Sequence, residues 1–322
     1  CLEADFIYKI KGNTVILGHH NGDPDALGAA QGILEIVSSI KPNVKVQILF
    51  PEGLSRLSNE IAKKLDLDTY QKESIEPETI IIVDTGKLSQ LGKWDAKLKE
   101  DKFSIISIDH HIFDQEFDQI SDYYLCRPEA TSTCEIVYDI FRKMELQPSK
   151  KTAKALLTGI AYDSKFFSLG GSKMFETVSN LLKTTGDISD IRELMSITTK
   201  VSEKIARLKG AQRLEIHRID KWLLVTSQIS SHQASGARGL ISLGADIALV
   251  SGIKKGKLRS SIRSTQKFFD ETGINLGELF SKLGESFEGS GSGHPTAAGF
   301  NGEGRIEEFE RRSMKIIKDK LN

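Results

Sequence analysis

An excess of charge of either sign is missing from this sequence: Lys and Arg total 44 and Asp and Glu total 44 in 322 residues. No global field therefore draws the chain to nucleic acid or to an acidic membrane, and any anion binding has to be local. Cysteine is scarce as well. Cys1, Cys126 and Cys134 form no CxxC spacing, and an odd number fits a reducing compartment better than a disulfide framework, so they read as fillers. Long apolar runs are absent: Ile80-Ile81-Ile82-Val83 falls far short of the ~20 residues of a membrane span, and no charged-then-apolar leader opens the sequence. The expectation is a soluble cytoplasmic protein with no membrane partner.

What is present suggests two domains, at about 150 residues each, and an apolar fraction of 39% suffices for both cores. The first half alternates short β-rich runs with helical patterns, which predicts a mostly parallel sheet covered by helices. Expected strands are Thr14 to Gly18, Val44 to Phe50, Thr79 to Val83 and Phe103 to Ile108, with helices at Ala26 to Ile40 and Leu54 to Leu65. Ser132-Thr133-Cys134-Glu135 has the form of a capping box and predicts a helix running to about Met144. Helices are also expected at Lys151 to Ala161, Met174 to Lys183 and Ile188 to Leu208. Beyond that, strands at "KWLLVTSQI", Asp246 to Ile253 and Leu258 to Arg263, a helix near Gly236 to Leu243 and a closing helix from Ile306 predict a smaller α/β domain. The expected boundaries are 1–187, a helical linker over 188–212, and 213–322.

Polar clusters follow three of the expected strands. His19, Asp23 and Asp25 follow the first, Asp84 of "IIIVDTG" ends the third, and Asp109-His110-His111 ends the fourth; Asp163 closes a predicted helix. In open α/β sheets ligands bind outside the carboxyl ends of the strands. If these ends converge, Asp23, Asp25, Asp84 and Asp163 repel one another and pay for desolvation unless two divalent cations cancel their charge. Pro24 stiffens the turn between Asp23 and Asp25, so their carboxylates can diverge toward different ions. Mixed Asp and His ligation suits Mn(II), with Fe(II), Co(II) or Zn(II) as substitutes, better than Mg(II). Any one of these residues alone reads as a turn, a cap or a satisfied polar group; their joint appearance after successive strands reverses that.

These residues resemble the four motifs of the DHH phosphoesterase superfamily, and "EGSGSGHPTAAGF" at residues 288–300 resembles the glycine-rich signature of the DHH-associated domain in its RecJ-like, oligoribonuclease and pAp-phosphatase branch. Two features depart from that pattern: Gly22 stands where a proline often precedes the first aspartate, and Ser290 and Ser292 break the glycine run. The resemblance implies that His19, Asp23 and Asp84 hold one ion and that Asp25, Asp84, His110 and Asp163 hold the other. It also implies that His111 faces the substrate phosphate, while Asp109 orients the ring of His110 from behind.

The stretch 251–267 holds six basic residues and no acidic one, and β geometry puts Arg259, Ser261 and Arg263 on one face. Arg263 is the expected bidentate phosphate clamp, on a strand that resembles the family's substrate-contacting one. Lys254, Lys255 and Lys257 read as a solvated edge. Gly289, Gly291 and Gly293, ending at His294, read as a backbone cradle for nucleotide or phosphate, and Arg238 as a further contact.

The expected activity is two-metal phosphoester hydrolysis with Mn(II) as cofactor, and the resemblance implies short oligonucleotides, linear dinucleotides such as pApA, or 3′-phosphoadenosine-5′-phosphate as substrates. His111, Arg263 and His294 would neutralise the phosphate oxygens, and closure of the two domains would measure substrate size. A RecJ-like exonuclease on single strands needs a lane of stacking aromatics, and the basic strand has only Phe268 and Phe269 nearby. A nucleotide-binding pseudoenzyme is opposed by intact ligands at every motif. An inorganic pyrophosphatase is opposed by the His294 signature. The expected partner is a short nucleic acid or nucleotide, and a homodimer stays open.

Overall fold

A computed structural model describes residues 2–100, 102–196 and 200–321, with side chains described from residue 4. Cys1, one of the three cysteines, and residues 197–199 within the expected linker lie outside the described residues. The chain divides into two compact units, Cys1–Ile197 and Thr198–Asn322.

The first unit runs β1 (Thr14–Leu17), α1 (Pro24–Ile40), β2 (Val46–Leu49), α2 (Arg56–Leu65), β3 (Thr79–Val83), α3 (Trp94–Leu98), β4 (Ser104–Asp109), α4 (Gln115–Ile120) and β5 (Tyr123–Cys126). Four helices follow: α5 (Thr133–Lys143), α6 (Lys150–Asp163), α7 (Ser172–Thr185) and α8 (Ile188–Leu194). Every strand pair is parallel, in the order β2-β1-β3-β4-β5. Strands this apolar are buried on both faces. Ile16, Ile81, Val83, Ile106 and Ile108 pack under α1, α5 and α6. Val15, Leu17, Ile80, Ile82 and Ile105 turn the other way, onto Trp94, Leu98 and Phe117. The chain reverses its direction of travel across the sheet between β1 and β3, the switch point at which such sheets open a crevice at their carboxyl ends.

The second unit runs α9 (Val201–Gln212), β6 (Glu215–Ile219), β7 (Trp222–Gln228), α10 (Gln233–Ser242), β8 (Ile247–Lys254) and β9 (Lys257–Ser264). It continues with α11 (Gln266–Thr272), α12 (Leu276–Ser286), β10 (Ser290–His294), β11 (Ala297–Gly302) and α13 (Ile306–Leu321). The strand order is β10-β11-β9-β8-β7-β6, antiparallel except for the β7–β8 pair joined through α10. One face packs on Phe268, Phe280 and Phe309, the other on Ala206, Ala237 and Leu240.

Three sequence expectations change. The stretch 188–208 is not one helix: α8 ends at Leu194, with Ile191 and Leu194 in the first unit's core, and α9 begins at Val201, with Ala206 in the second's. The glycine-rich stretch is not an open loop. It is strand β10, paired residue by residue with β11 from Ser290↔Asn301 to His294↔Ala297. A side chain at Gly291 would sit 2.0 Å from the Phe280 carbonyl oxygen, and one at Gly277 would sit 2.5 Å from that of Gly293. The glycines thus let α12 lie directly on the strand, which also explains why Ser290 and Ser292, both exposed, are tolerated between them. At the start of α5, Ser132 Oγ accepts from the Glu135 N–H at 3.2 Å as expected. The reciprocal arm differs, because Glu135 accepts from Thr131 rather than from Ser132 itself, at 3.0 Å.

Candidate metal centre

The loop after β1 carries His19 and ends at Asp23, whose carboxylate caps α1 by accepting from the N–H groups of Asp25 at 2.9 Å and Ala26 at 3.1 Å. Pro24 occupies the first turn, where its missing N–H costs nothing. Gly22 is required here for a local reason: a side chain would strike the Phe50 ring at 2.5 Å. Asp25, in the first turn of α1, is wholly buried. Its two oxygens accept from the backbone N–H groups of Thr133 at 2.7 Å and Cys134 at 2.9 Å. The positive end of α5 is therefore aimed at Asp25.

Asp84, just past β3, is 2% exposed and adopts the left-handed region at φ 50°. Such a conformation costs a non-glycine residue about 1–2 kcal/mol and turns the carboxylate away from the strand. Thr133 Oγ1 donates to Asp84 Oδ1 at 2.9 Å. From β4, His110 Nε2 lies 3.2 Å from Asp163 Oδ2, 3.5 Å from Asp84 Oδ1 and 3.9 Å from Asp25 Oδ2. His19 Nε2 lies 3.9 Å from both Asp23 Oδ2 and Asp84 Oδ2.

The structure thus brings together His19, Asp23 and Asp84 in one set and Asp25, Asp84, His110 and Asp163 in another, the ligand atoms of each within 4.8 Å of one another. Asp84 belongs to both. A third overlapping set joins Asp84, His110 and His111.

Electrostatics follow from crowding. Burial first, then the charges of Asp84 and Asp163, push the Asp25 carboxyl well above its ordinary range. Burial and Asp23 raise Asp84 to about 6. Burial alone would lower His110, but contact with Asp163 and the charges of Asp84, Asp163 and Asp109 outweigh it and bring the ring to about 9. Among the described residues, the ionic partners of Asp23, Asp25, Asp84 and Asp163 are all histidines.

The donor set fits divalent ions. His110 Nε2 is buried with three carboxylates within 4 Å and no well-formed hydrogen bond, a position that a divalent ion would satisfy on displacing the ring's proton. Four carboxylates with two imidazoles give the mixed oxygen and nitrogen shell of first-row divalent metals.

Asp109 does not do what the sequence suggested. Its Oδ1 accepts from the His110 backbone N–H at 2.9 Å and meets His111 Nδ1 at 2.7 Å, so it orients His111 rather than the ring of His110. The His110 ring points at the carboxylates through Nε2, and its Nδ1 faces the Ala130 carbonyl at 3.4 Å. Thr133 and Cys134 were missed altogether, although the helix start that supplies their N–H groups was marked by the capping signature.

In the second unit Arg263 pairs across β11 with Ala297, which pairs in turn with His294. Directly paired residues project from the same face, so Arg263 and His294 share one, about 10 Å apart at two strand spacings. Ser261 lies on this face as well, with its Oγ 3.5 Å from the Ala298 carbonyl. Burial, then the charge of Arg238 on α10, lowers the Arg263 pKa, and the buried Arg263 Nε has no hydrogen-bond partner among the described residues. Arg263 on β9 and Arg238 on α10 therefore repel each other, a setting an anion would relieve. Gly291 and Gly293 are accounted for by packing.

A family profile described as "DHH family, N-terminal domain" matches residues 13–160, and one described as "DHHA1 domain" matches 237–321. An uncharacterized protein of Methanocaldococcus jannaschii is 36% identical over 321 residues, spanning 98% of this chain and 94% of that protein. The chain belongs to the DHH family. Asp109-His110-His111 lies within the residues matched by the first profile. A probable bifunctional oligoribonuclease and PAP phosphatase of Streptococcus mutans is 30% identical, over 68% of each chain. A cyclic-di-AMP phosphodiesterase of Geobacillus thermodenitrificans is 33% identical over 63% of this chain, a match that takes in 32% of that protein. Among solved structures, an exopolyphosphatase-related protein from Bacteroides fragilis shares the DHH fold with a TM-score of 0.65 at 19% identity, over 99% of this chain and 97% of that one. Among the described residues, no helix is long and apolar enough to cross a membrane.

Proposed function

We propose that this DHH-family phosphoesterase hydrolyses short linear nucleotides: dinucleotides of the pApA type, short oligoribonucleotides and 3′-phosphoadenosine-5′-phosphate. The observation that carries the reading is the pair of ligand sets sharing Asp84, beside which His111 stands half exposed. Lewis acidity is what bound divalent ions, Mn(II) foremost, supply at such a site: it makes hydroxide available near neutral pH and offsets charge on phosphate oxygens. His19, Asp23 and Asp84 would hold one ion, and Asp25, Asp84, His110 and Asp163 the other.

The chain's own residues do the rest. The N-terminus of α5 fixes Asp25, and Thr133 fixes Asp84, so both carboxylates are aligned before any ligand arrives. Asp109 holds the His111 ring and raises its pKa, first through their hydrogen bond and then through its charge. His111 thereby offers a cation to a phosphate oxygen. Arg263, with Arg238 and His294, provides the second unit's phosphate contact.

The similarity to the Streptococcus oligoribonuclease and PAP phosphatase and to the Geobacillus cyclic-di-AMP phosphodiesterase supports small nucleotide substrates, as does the neutral net charge. Purified protein with Mn(II), tested side by side on pAp, linear and cyclic diadenylates and a length ladder of RNA and DNA, checks the proposal. Turnover falling with length is expected. Undiminished activity on long single strands, with binding that weakens steeply in salt, would replace this reading with a processive exonuclease.

A further inference from the structure

Next to His111, residues 112–114 form a loop that leaves two large apolar side chains in water: Ile112 is 86% exposed and Phe113 55%. One exposed apolar residue is unremarkable on any protein surface. Here two adjoin a cavity of about 430 Å³ that is also lined by His111, Gly86, Lys87 and Gln90. That volume lies within the range of small-molecule sites, and the lining combines apolar faces with a few polar groups.

The loop is held at several points. His111 Nδ1 is 2.7 Å from Asp109, and Cys126 Sγ reaches the His111 carbonyl at 3.3 Å. Asp114 caps α4 by accepting from Glu116 and Phe117 at 2.9 and 3.2 Å. Phe113 itself packs on Tyr124, with centroids 5.5 Å apart and planes 31° apart, and Tyr124 packs on the buried Phe117 at 6.0 Å. One side of the Phe113 ring is therefore anchored to the core, while more than half of the residue stays open. Holding an aromatic in this state forgoes the burial its ring could gain, so the exposure calls for a ligand with a flat apolar face.

The position narrows that ligand. Gly86 admits the His111 ring, since a side chain there would meet its atoms at 3.2 Å, and His111 lines both the cavity and the cluster of carboxylates. A group seated against Phe113 is thus connected to whatever phosphate His111 contacts. A base is the part of a nucleotide that combines a planar π face with a phosphate one sugar away.

We infer that the cavity beside His111 is a nucleobase subsite in which the Phe113 ring stacks on the base next to the scissile phosphate, an inference that rests on the nucleotide-hydrolase reading above. Stacking of this kind adds to ground-state and transition-state binding alike, so its loss raises KM and leaves kcat in place.

The test is steady-state kinetics with Mn(II) on pApA and on two analogues lacking the base at the 5′ or the 3′ end. Phe113→Ala should raise KM for pApA about tenfold, leave KM unchanged for one of the two abasic analogues, and be rescued by Phe113→Trp. Equal weakening on all three substrates, or none, overturns the subsite while leaving the hydrolase reading standing. Wild-type protein that cleaves none of the three refutes the hydrolase reading, and the subsite falls with it. If Phe113→Ala lowers the melting temperature, Phe113→Leu, which keeps apolar bulk against Tyr124 but no planar face, is measured instead under the same criteria.

Discussion

Replacing Asp84 by asparagine sets the site's chemistry against the fold's stability. In the metal-free chain the Asp84 carboxyl is raised from 3.8 to about 6, chiefly by burial and by Asp23. Between those values an unfolded chain has already released the proton while the native chain keeps it. Native stability therefore falls as pH rises through that window, is fully reduced above about pH 6, and is unaffected below about 3.8. Two units at ~1.4 kcal/mol each give ~3 kcal/mol, an upper figure because Asp23, Asp25 and Asp163 titrate with Asp84 as a group. Asparagine carries no such cost, still accepts from Thr133, and tolerates the left-handed φ of 50° at this position. Metal-free Asp84→Asn should thus melt higher than wild type at about pH 7.5, by up to roughly 6–12 °C, and the difference should vanish toward pH 4. Adding Mn(II) should then raise the melting temperature of wild type and not of the variant, whose hydrolysis should be abolished. Calorimetry across pH with and without metal measures all of this. A variant that melts no higher than wild type without metal, or that keeps the Mn(II)-dependent shift or wild-type turnover, refutes the bridging role of Asp84.

Thr133→Val keeps the shape and removes the hydroxyl that donates to Asp84, so metal affinity measured by titration should drop about 10- to 100-fold with little change in melting temperature. Arg263→Ala should raise KM for pApA while the number of ions bound per chain stays unchanged; lost metal would contradict the assignment of Arg263 to phosphate. Lys165, the first of three consecutive left-handed residues after Asp163, stands at φ 48°. Lys165→Gly should therefore stabilise the first unit by up to ~1 kcal/mol in denaturant titration, the left-handed penalty offset in part by the entropy of glycine.

The parallel sheet was legible because burial on both faces makes its central strands largely apolar: "TVIL" and "TIIIV" announce β1 and β3 almost to the residue. Strands that owe their existence to pairing were not legible. β10, Ser290–His294, contains no residue of strong β preference and is a strand only because β11 and α12 hold it, while β5 is a four-residue edge strand, only half buried. Propensity describes what a segment does alone, and these segments do nothing alone.

The same distinction runs through the site. Each acidic or histidine cluster could be read because it follows an apolar strand directly, and carboxyl ends of parallel strands open on one side of a sheet. What steadies the cluster could not be read, since Thr133 and Cys134 act on Asp25 through backbone N–H groups, which every residue but proline carries. The capping signature fixed where α5 begins, yet only the packing of α1 against α5 and α6 decides what its positive end faces. Gly28 and Gly159 make that packing close enough: side chains there would strike the Ala155 carbonyl at 2.5 Å and Cys134 Sγ at 2.3 Å. The charge that a metal would balance is thus partly balanced beforehand by a helix terminus, and this is how a fully buried Asp25 can stay in place as a ligand before an ion arrives.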